Sequence, residues 1–347
     1  MVTRTDAAAG SPPARPGLRV ALAIAAFGAG TLLVLLAAPL VGSTPIRLAR
    51  VFDRSIPFAE NVDAQVFFVA RLPRVLAAAL VGSSLAVAGV VFQALLRNPL
   101  ASPDTLGVSA GATLGALLVI TLHLDLATLG VSSIPIGSFA GSAGALGIVY
   151  ALSVARRRGT STTVLLLAGV ALTALLGAIG RFVQVIADFT DTFRTIRWTM
   201  GSLDVASYHE IVVAAVPIAV AFGAIFSLMR VLDLVSLGAE AAESRGVDVR
   251  RAERIALLGA SLTTGAAVSL GGPIPFVGII VPHMVRLIVG ASHRLVLPAS
   301  ALFGAAFLVV CDVVARTAFG GTEMPVGAIT AILGGPFFLW LLFRRPD

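Results

Sequence analysis

The chain has 347 residues, of which 57% are hydrophobic and 12% charged, and its mean hydropathy is +0.98. Soluble domains carry roughly 25% charged residues, so this composition excludes an ordinary soluble protein and predicts one that crosses a membrane many times. The net charge is +7, and every basic residue is arginine because the sequence contains no lysine. The arginines lie mostly at the ends of apolar segments, which indicates positive loops beside membrane spans and not a surface for nucleic acid.

The chain is predicted to begin with a cytoplasmic tail, residues 1–17, followed by a single transmembrane domain, residues 18–347. The tail is rich in proline and arginine. The apolar segment behind it, Leu18–Val41, is longer than the roughly 7–15 apolar residues of a signal peptide, and it is long enough to span a bilayer. We therefore predict that it is the first transmembrane helix and that it starts in the cytoplasm.

Nine further apolar segments follow, so the predicted fold is an all-α integral membrane protein with about ten transmembrane helices. They are Leu72–Leu96, Thr105–Leu122, Ile134–Ala155, Val164–Ala187, Ile211–Met229, Ile255–Leu270, Phe276–Val289, Leu295–Ala318 and Val326–Phe343. Ten crossings return the C-terminus to the cytoplasm, where the N-terminus starts. Arginine clusters at 156–158 and 344–345 agree with this orientation, whereas Arg47 and Arg71 would lie outside and break the positive-inside rule.

A polar corner, RNPLASPDTLGVSAGA at residues 97–112, separates the second span from the third. The proline after Asn98 disfavours helix at that residue, and Ser102 is predicted to cap the next helix. Gly107, Gly111 and Gly115 then recur every four residues on one predicted helix face. Such a face lets two helix backbones approach closely in lipid, so we predict a tightly packed helical hairpin, with a direct substrate role for the glycines as the alternative.

The longest predicted cytoplasmic connection, residues 231–255, contains a short helix. Ser236 is predicted to cap a helix over Leu237–Arg245 that ends at Gly246, and Asp248 is predicted to cap the following helix. A helix that lies on the lipid surface is the alternative, but such helices prefer bulky apolar and basic residues. The small and acidic residues found here favour docking into a groove on another protein.

Ionisable side chains inside predicted spans are candidates for function. They are Arg181, His283, Arg286, Asp312 and Arg316. Asp312 and Arg316 are four residues apart and are predicted to pair on one helix face. The sequence shows no metal-ligand cluster, nucleophile–base set or phosphate-binding glycine loop, so no catalytic residue and no metal site is predicted. Two alternatives stay open: an ion-coupled secondary transporter centred on Asp312, and an intramembrane enzyme around His283.

From Arg71 to the C-terminus, a series of motifs resembles the FecCD-type permeases of ATP-binding cassette (ABC) importers for iron-siderophores, haem and vitamin B12. The motifs are RLPR (71–74), Gln93, RNPLASPDTLGVSAGA (97–112), LLLAGVAL (165–172), SLG (236–238), FVGIIVPHMVR (276–286), HRLVLPASAL (293–302), ARTAFGGTEMPVG (315–327) and GGPFFLWLL (334–342). The resemblance implies a type II importer fold in the bacterial cytoplasmic membrane. It also implies a homodimer, or a closely related pair, with the translocation pathway between the two copies.

The same resemblance implies partners and residue roles. Two cytoplasmic ATPases, which use ATP and Mg²⁺, would dock on coupling helices at residues 234–249, while this chain binds no cofactor. An extracytoplasmic binding protein would deliver an iron chelate, with haem and vitamin B12 as alternatives. The implied residues are Ser236, Leu237, Gly238, Ala241, Ala242 and Gly246 for ATPase coupling; Arg71, Arg74 and Arg316 for docking of the binding protein; and Ser161, Thr162 and Thr163 for a cytoplasmic gate. Gln93, within the pattern, and Arg181, outside it, are candidates for the substrate pathway.

Overall fold

The structure is a computed structural model that describes residues 16–124, 132–155, 162–204, 207–318 and 323–343. All regular secondary structure in these ranges is helical. A π-helical turn over Val66–Arg71 joins α3 to α4 without a break. The helices are α1 (Pro16–Ala37), α2 (Leu48–Val51), α3 (Val62–Gln65), α4 (Leu72–Leu95), α5 (Val108–Thr121), α6 (Ser133–Ala155), α7 (Thr162–Ile186), α8 (Phe189–Thr199), α9 (Tyr208–Ser227), α10 (Met229–Val235), α11 (Ala239–Glu243), α12 (Val249–Gly271), α13 (Val277–Val289), α14 (His293–Thr317) and α15 (Val326–Phe343).

Each of the ten predicted apolar segments contains an apolar helix. Within the described ranges, six helical stretches are long and apolar enough to cross a membrane, and four apolar helices are shorter. The six are Val20–Leu40, Val62–Leu95, Leu166–Ile186, Tyr208–Ser227, Val249–Gly271 and His293–Thr317. The all-helical, multi-span class is therefore confirmed, whereas ten crossings, cytoplasmic termini and the division at residue 17 stay predictions.

The helix α4 is the centre of the bundle. It packs against α12, α13 and α14, and most of its side chains are buried. A Cβ atom added at Gly82 would collide with the carbonyl oxygen of Gly304 in α14, and one at Gly89 would collide with that of Gly278 in α13. Because lipid tails are as apolar as the side chains, such close backbone contacts, more than apolar burial, hold membrane helices together.

A second tightly packed pair is formed by α5 and α6, which run antiparallel. A Cβ atom at Gly111 would meet the carbonyl oxygen of Gly141, and one at Gly115 would meet that of Gly137. These contacts confirm that the glycine face lets two helix backbones approach closely, but its partner is α6 and not α4. The tightly packed hairpin predicted across the polar corner is therefore wrong. For orientation, the end of the bundle at which α4 begins is called the Arg74 end, and the opposite end, which carries α10 and α11, is called the α11 end.

Two local predictions for the polar corner are wrong. Ser102 precedes a 3₁₀ turn, Pro103–Leu106, and its side chain makes no capping hydrogen bond. Gly107 has a φ angle of +78° and separates that turn from α5, so it does not belong to the glycine face of the helix. A Cβ atom there would lie 3.3 Å from Leu172 of α7 instead. The left-handed backbone, which glycine adopts without strain, thus decides where α5 begins.

The sequence reasoning also missed α8, a short helix at the Arg74 end. It is only 11 residues long, and polar residues interrupt its apolar side chains. The sequence nevertheless contains a signal for this helix, because Asp188 is a residue type that favours the N-cap position. In the structure Asp188 does cap α8, and it accepts a hydrogen bond from the backbone N–H of Asp191. Behind this cap, Phe189, Phe193 and Ile196 follow at helical spacing.

Candidate functional site

A buried network of charges at the Arg74 end joins four separate segments of the chain. The guanidinium group of Arg74 lies 2.7 Å from Asp312 of α14, 2.5 Å from Asp204 and 2.8 Å from Glu323. Asp312 is fully buried and also pairs with Arg316 at 3.5 Å, which confirms the predicted contact between these two residues. The network therefore ties α4 and α14 to the connections that follow α8 and α14.

The other two predicted docking arginines bind backbone carbonyl groups. Arg71 donates hydrogen bonds to the carbonyl oxygens of Pro39, Leu40 and Thr44. Arg316 donates to the carbonyl oxygen of Ala38 at 2.8 Å. Both guanidinium groups thus hold the segment that follows α1 against the rest of the bundle.

The three arginines implied for docking of a binding protein are therefore buried within this chain. Arg71, Arg74 and Arg316 are only 6–8% exposed, because each guanidinium group is enclosed by partners in its own chain. The half-exposed carboxylate of Glu323 and the partly exposed Asp204 lie nearer the surface of the same network. A role of the three arginines in docking a binding protein stays a prediction.

Gln93, a predicted pathway residue, is buried between α4 and α13. Its side chain is 4% exposed, and its amide N–H donates to the carbonyl oxygen of Gly278 at 3.1 Å. Its carbonyl oxygen accepts a hydrogen bond from Arg286. In this conformation Gln93 links two helices and does not line an open pathway, because both ends of its amide are occupied.

Arg181, the other predicted pathway residue, has the opposite environment. It is exposed on α7, where it lines a cavity of about 520 Å³ formed by α5, α7 and Thr199 of α8. Thr113, Thr173 and Gln184 add polar groups to the wall. Among the described residues, no carboxylate forms an ion pair with Arg181. This cavity therefore offers an available cation within an apolar span.

The predicted coupling segment differs from the single helix expected over Leu237–Arg245. Ser236 does not cap a helix start, since it ends α10, and its hydroxyl donates to the carbonyl oxygen of Asp233. Gly238, with a φ angle of +121°, then separates α10 from the five-residue helix α11. Two predictions are confirmed: Gly246 ends α11 with a φ angle of +79°, and Asp248 caps α12.

Within this segment, the predicted coupling residues divide into a buried group and an exposed group. Ala242 is fully buried and packs with Val235 and Val249, so it holds α11 against its neighbours. Leu237 is 68% exposed, and Ala241 is half-buried. An exposed leucine beside a turn offers an apolar contact to another protein, whereas Ala242 is not available for one.

A hydrogen-bonded pair of a buried histidine and a partly exposed aspartate attaches α10 to the rest of the bundle. The carboxylate of Asp233 accepts a hydrogen bond from the backbone N–H of His293 at 2.7 Å and lies 2.8 Å from Nδ1 of the same residue. Because His293 is the first residue of α14, this pair links α10 directly to that helix. The predicted cytoplasmic gate cannot be compared with the structure, because Ser161 and the side chains of Thr162 and Thr163 lie outside the described residues.

The outer faces of α7 and α8 expose large apolar side chains. Phe182, Val185, Phe189 and Phe193 are all more than half exposed. They lie at the Arg74 end, on the same two helices that supply Arg181 and Thr199 to the cavity. Lipid or another protein subunit suits such a face, since contiguous apolar surface of this kind is unusual where a protein meets water.

Comparison with known proteins assigns this architecture to one family. The model of the FecCD transport family matches residues 30–344. The cobalamin import system permease protein BtuC of Halobacterium salinarum is 45% identical over 279 residues, 79% of this chain and 72% of the relative. The hemin transport system permease protein HmuU of Yersinia pestis is 40% identical over 323 residues, 92% of this chain and 96% of the relative.

A solved structure assigned to a metal-chelate type ABC transporter, in an inward-facing conformation, has the same fold. The TM-score is 0.81 at 28% sequence identity, and the match covers 93% of this chain and 99% of the other. The family match extends over most of the chain and includes the charge network, the Arg181 cavity and the coupling segment. The chain therefore belongs to the FecCD transport family, the multi-pass permease subunits of ABC importers.

Proposed function

We propose that this permease carries an iron chelate, such as a ferric siderophore, across the bacterial cytoplasmic membrane. An extracytoplasmic binding protein delivers the cargo, and two separate ATPase subunits supply the energy with ATP and Mg²⁺. The similarity to a metal-chelate type transporter and to a hemin permease supports this cargo class. The cobalamin permease among the relatives supports the alternative cargo, a corrinoid.

The exposure of Arg181 to a cavity is the observation that supports an iron chelate as the cargo. Ionisable residues inside a membrane span are costly and mark substrate pathways, and this arginine is exposed to a cavity. Guanidinium groups bind carboxylates and related oxyanions through paired, charge-assisted hydrogen bonds. Iron chelates and haem present anionic oxygen groups, whereas the side chains of the corrin ring are mainly neutral amides. An available arginine therefore suits the first two better than the third.

The exposed apolar face of α7 and α8 supports a dimer of two permease chains. A second copy would cover Phe182 and Val185, and a two-fold axis would bring both copies of Arg181 to one central pathway. Two such cations suit a cargo with several negative charges. In the same arrangement, the first turn of α7 would lie at the α11 end of the pathway, which supports the proposed gate at Thr162 and Thr163.

The coupling segment supports a mechanical link to the ATPases. The exposed Leu237 provides a contact for the ATPase, while the buried Ala242 makes α10 and α11 move as one unit. The contact between Asp233 and His293 then passes this motion to α14. Closure of the ATP-bound ATPase dimer would rock the helices and open the pathway to one side at a time.

The secondary-transporter alternative is disfavoured by the environment of Asp312. An ion-coupled carrier needs a carboxylate that can bind and release its ion from a pathway. Asp312 is fully buried and lies between Arg74 and Arg316. Two fixed positive charges occupy the place of the coupling ion, so this carboxylate serves as a structural partner.

Transport in proteoliposomes tests the proposed function. The permease would be reconstituted with the ATPase and binding protein proposed as its partners, and ATP-dependent uptake of carboxylate siderophores, catecholate siderophores, haem and cobalamin would be compared. Uptake of iron chelates is expected to fall by more than about tenfold in Arg181→Gln, because one paired interaction with the cargo is lost, and to be partly kept in Arg181→Lys. Arg194→Gln, at an exposed arginine of α8, is the matched control. Uptake of cobalamin alone, or full iron uptake by Arg181→Gln, would contradict the proposed cargo.

A further inference from the structure

A cluster of metal-ligand side chains lies at the Arg74 end, apart from the sites described above. His123 follows the end of α5, and Asp188 and Asp191 open α8. One potential ligand atom from each of the three residues lies within 4.8 Å of the other two. The cluster therefore joins two helices that are 65 or more residues apart in the chain, which the spacing of the sequence alone does not reveal.

The local backbone holds each side chain of the cluster in place. His123 has a φ angle of +50° and belongs to the turn that ends α5, in which the N–H of Leu124 donates to the carbonyl oxygen of Val119. Asp188 is the N-cap of α8, and one of its carboxylate oxygens accepts the N–H of Asp191 at 2.8 Å. Among the described residues no hydrogen bond is made to its second oxygen, which leaves that atom for a cation.

The distance between His123 and Asp191 is compatible with a shared cation. Nε2 of His123 lies 3.3 Å from Oδ2 of Asp191, whereas a charge-assisted N–H···O bond is typically about 2.7–2.9 Å long. Two atoms that each lie about 2.1 Å from one metal ion, at an angle of about 90–110°, are roughly 3.0–3.4 Å apart. The observed separation lies in that range.

The hydroxyl of Thr195 is an independent sign that the cluster has a further binding partner. Thr195 is fully buried, and its Oγ1 has no hydrogen-bond partner among the described residues. It follows Asp191 by four residues, so both lie on one face of α8, and helix side chains lean towards the N-terminus. The side chain of Thr195 therefore covers the helical turn that carries Asp191, and a buried polar group without a partner calls for a bound ion or water.

We propose that His123, Asp188 and Asp191 bind a divalent first-row transition cation that ties α8 to the end of α5. One imidazole and two carboxylates suit Zn²⁺, Co²⁺ or Mn²⁺, whereas Ca²⁺ and Mg²⁺ prefer oxygen ligands alone. The side chain of Asp191 is 94% buried, since its exposed fraction is 6%. The exposed His123 also borders a cavity of about 330 Å³.

Metal binding to the full-length permease in detergent tests this site directly. Purified protein, freed of metal with a chelator, would be titrated with Co²⁺, whose visible absorption reports bound ligands, and the bound ion would then be displaced with Zn²⁺. One Co²⁺ per chain is expected, with Zn²⁺ raising the melting temperature. Asp188→Asn is the key variant, because asparagine keeps the helix cap but removes one anionic ligand.

The variants distinguish this site from incidental binding. His123→Ala, Asp188→Asn and Asp191→Asn should each weaken Co²⁺ binding by more than about tenfold. Mutating a residue that only supports a metal ligand often lowers metal affinity by at least this factor, and these three residues are the proposed ligands themselves. His209→Ala, at an exposed histidine of α9, is the matched control and should bind as the wild type does. The proposal is overturned if the wild type binds no Co²⁺, or if a correctly folded Asp188→Asn protein binds it with unchanged affinity.

Discussion

The guanidinium group of Arg74 lies 2.7 Å from the carboxylate of Asp312, and this buried pair joins the start of α4 to the end of α14. Since Gly82 and Gly304 bring the same two helices into backbone contact further along, the antiparallel pair is fixed at two levels. An ion pair in so enclosed a place is not in itself proof of high stability, because desolvation opposes the attraction between the charges. Removing one member is costly, however, since the other is left buried and unpaired.

Replacing Asp312 with alanine is therefore expected to lower the free energy of unfolding by about 3–5 kcal/mol, because Arg74 and Arg316 lose their shared carboxylate. Glu323→Gln is the matched control. It alters the same network at a half-exposed position, where an ion pair contributes roughly 0.2–1 kcal/mol. Thermal unfolding of both variants in detergent provides the measurement, and equal melting temperatures for Asp312→Ala and the wild type would contradict the structural role.

The sequence predicts part of this network and not the rest. The pairing of Asp312 with Arg316 follows from their spacing of four residues on one helix. The contacts of Arg74 with Asp312 and Glu323 bridge 238 and 249 positions of the chain, and no local pattern encodes such a distance. The same holds for Arg71 and Arg316: their place near the end of a helix is visible in the sequence, but the partners that enclose them are not.

The glycine contacts of α5 lead to a second prediction. Gly111→Leu should lower the free energy of unfolding by about 1–3 kcal/mol, because the larger side chain forces α5 away from Gly141 of α6. Gly144→Leu is the matched control, since a Cβ atom at Gly144 meets nothing within 4 Å. Both variants gain the same helix propensity, so the difference between their melting temperatures isolates the packing. Unchanged stability with lost transport would instead place Gly111 on the substrate pathway.

Arg71 yields a third prediction, about the segment behind α1. Arg71→Ala should lower the free energy of unfolding by about 1–3 kcal/mol, since the carbonyl groups of Pro39, Leu40 and Thr44 lose their donor. Arg197→Ala is the control, because that arginine is 61% exposed. The experiment also bears on docking. If Arg71→Ala reduces the affinity of the binding protein without any loss of stability, the arginine acts at the partner interface and its contacts with the carbonyl groups are dispensable.

The coupling segment shows where sequence reasoning about turns succeeds and where it fails. Gly246 and Asp248 were predicted correctly because a glycine stop and an aspartate cap are local events. The break at Gly238 was missed, because a glycine inside a helical pattern is often tolerated and only the packing of Ala242 against Val235 and Val249 fixes the bend there. Because Ala242 is buried by this packing, the contact with the ATPase has to be tested at an exposed residue of the segment.

Leu237 is the residue at which that contact is most directly tested. It is 68% exposed, beside the turn between α10 and α11, so Leu237→Asp should leave the fold intact while placing a charge in an apolar contact. Co-purification of the ATPase and stimulation of its ATP hydrolysis by the permease are both expected to be lost, whereas the melting temperature of the permease should stay the same.

Leu48→Asp, at a leucine of α2 that is 48% exposed at the Arg74 end, is the matched control and should retain the ATPase. Ala242→Trp is expected to unfold the segment, because Ala242 has no free surface. If Leu237→Asp binds and stimulates the ATPase as the wild type does, the ATPase must contact the permease elsewhere.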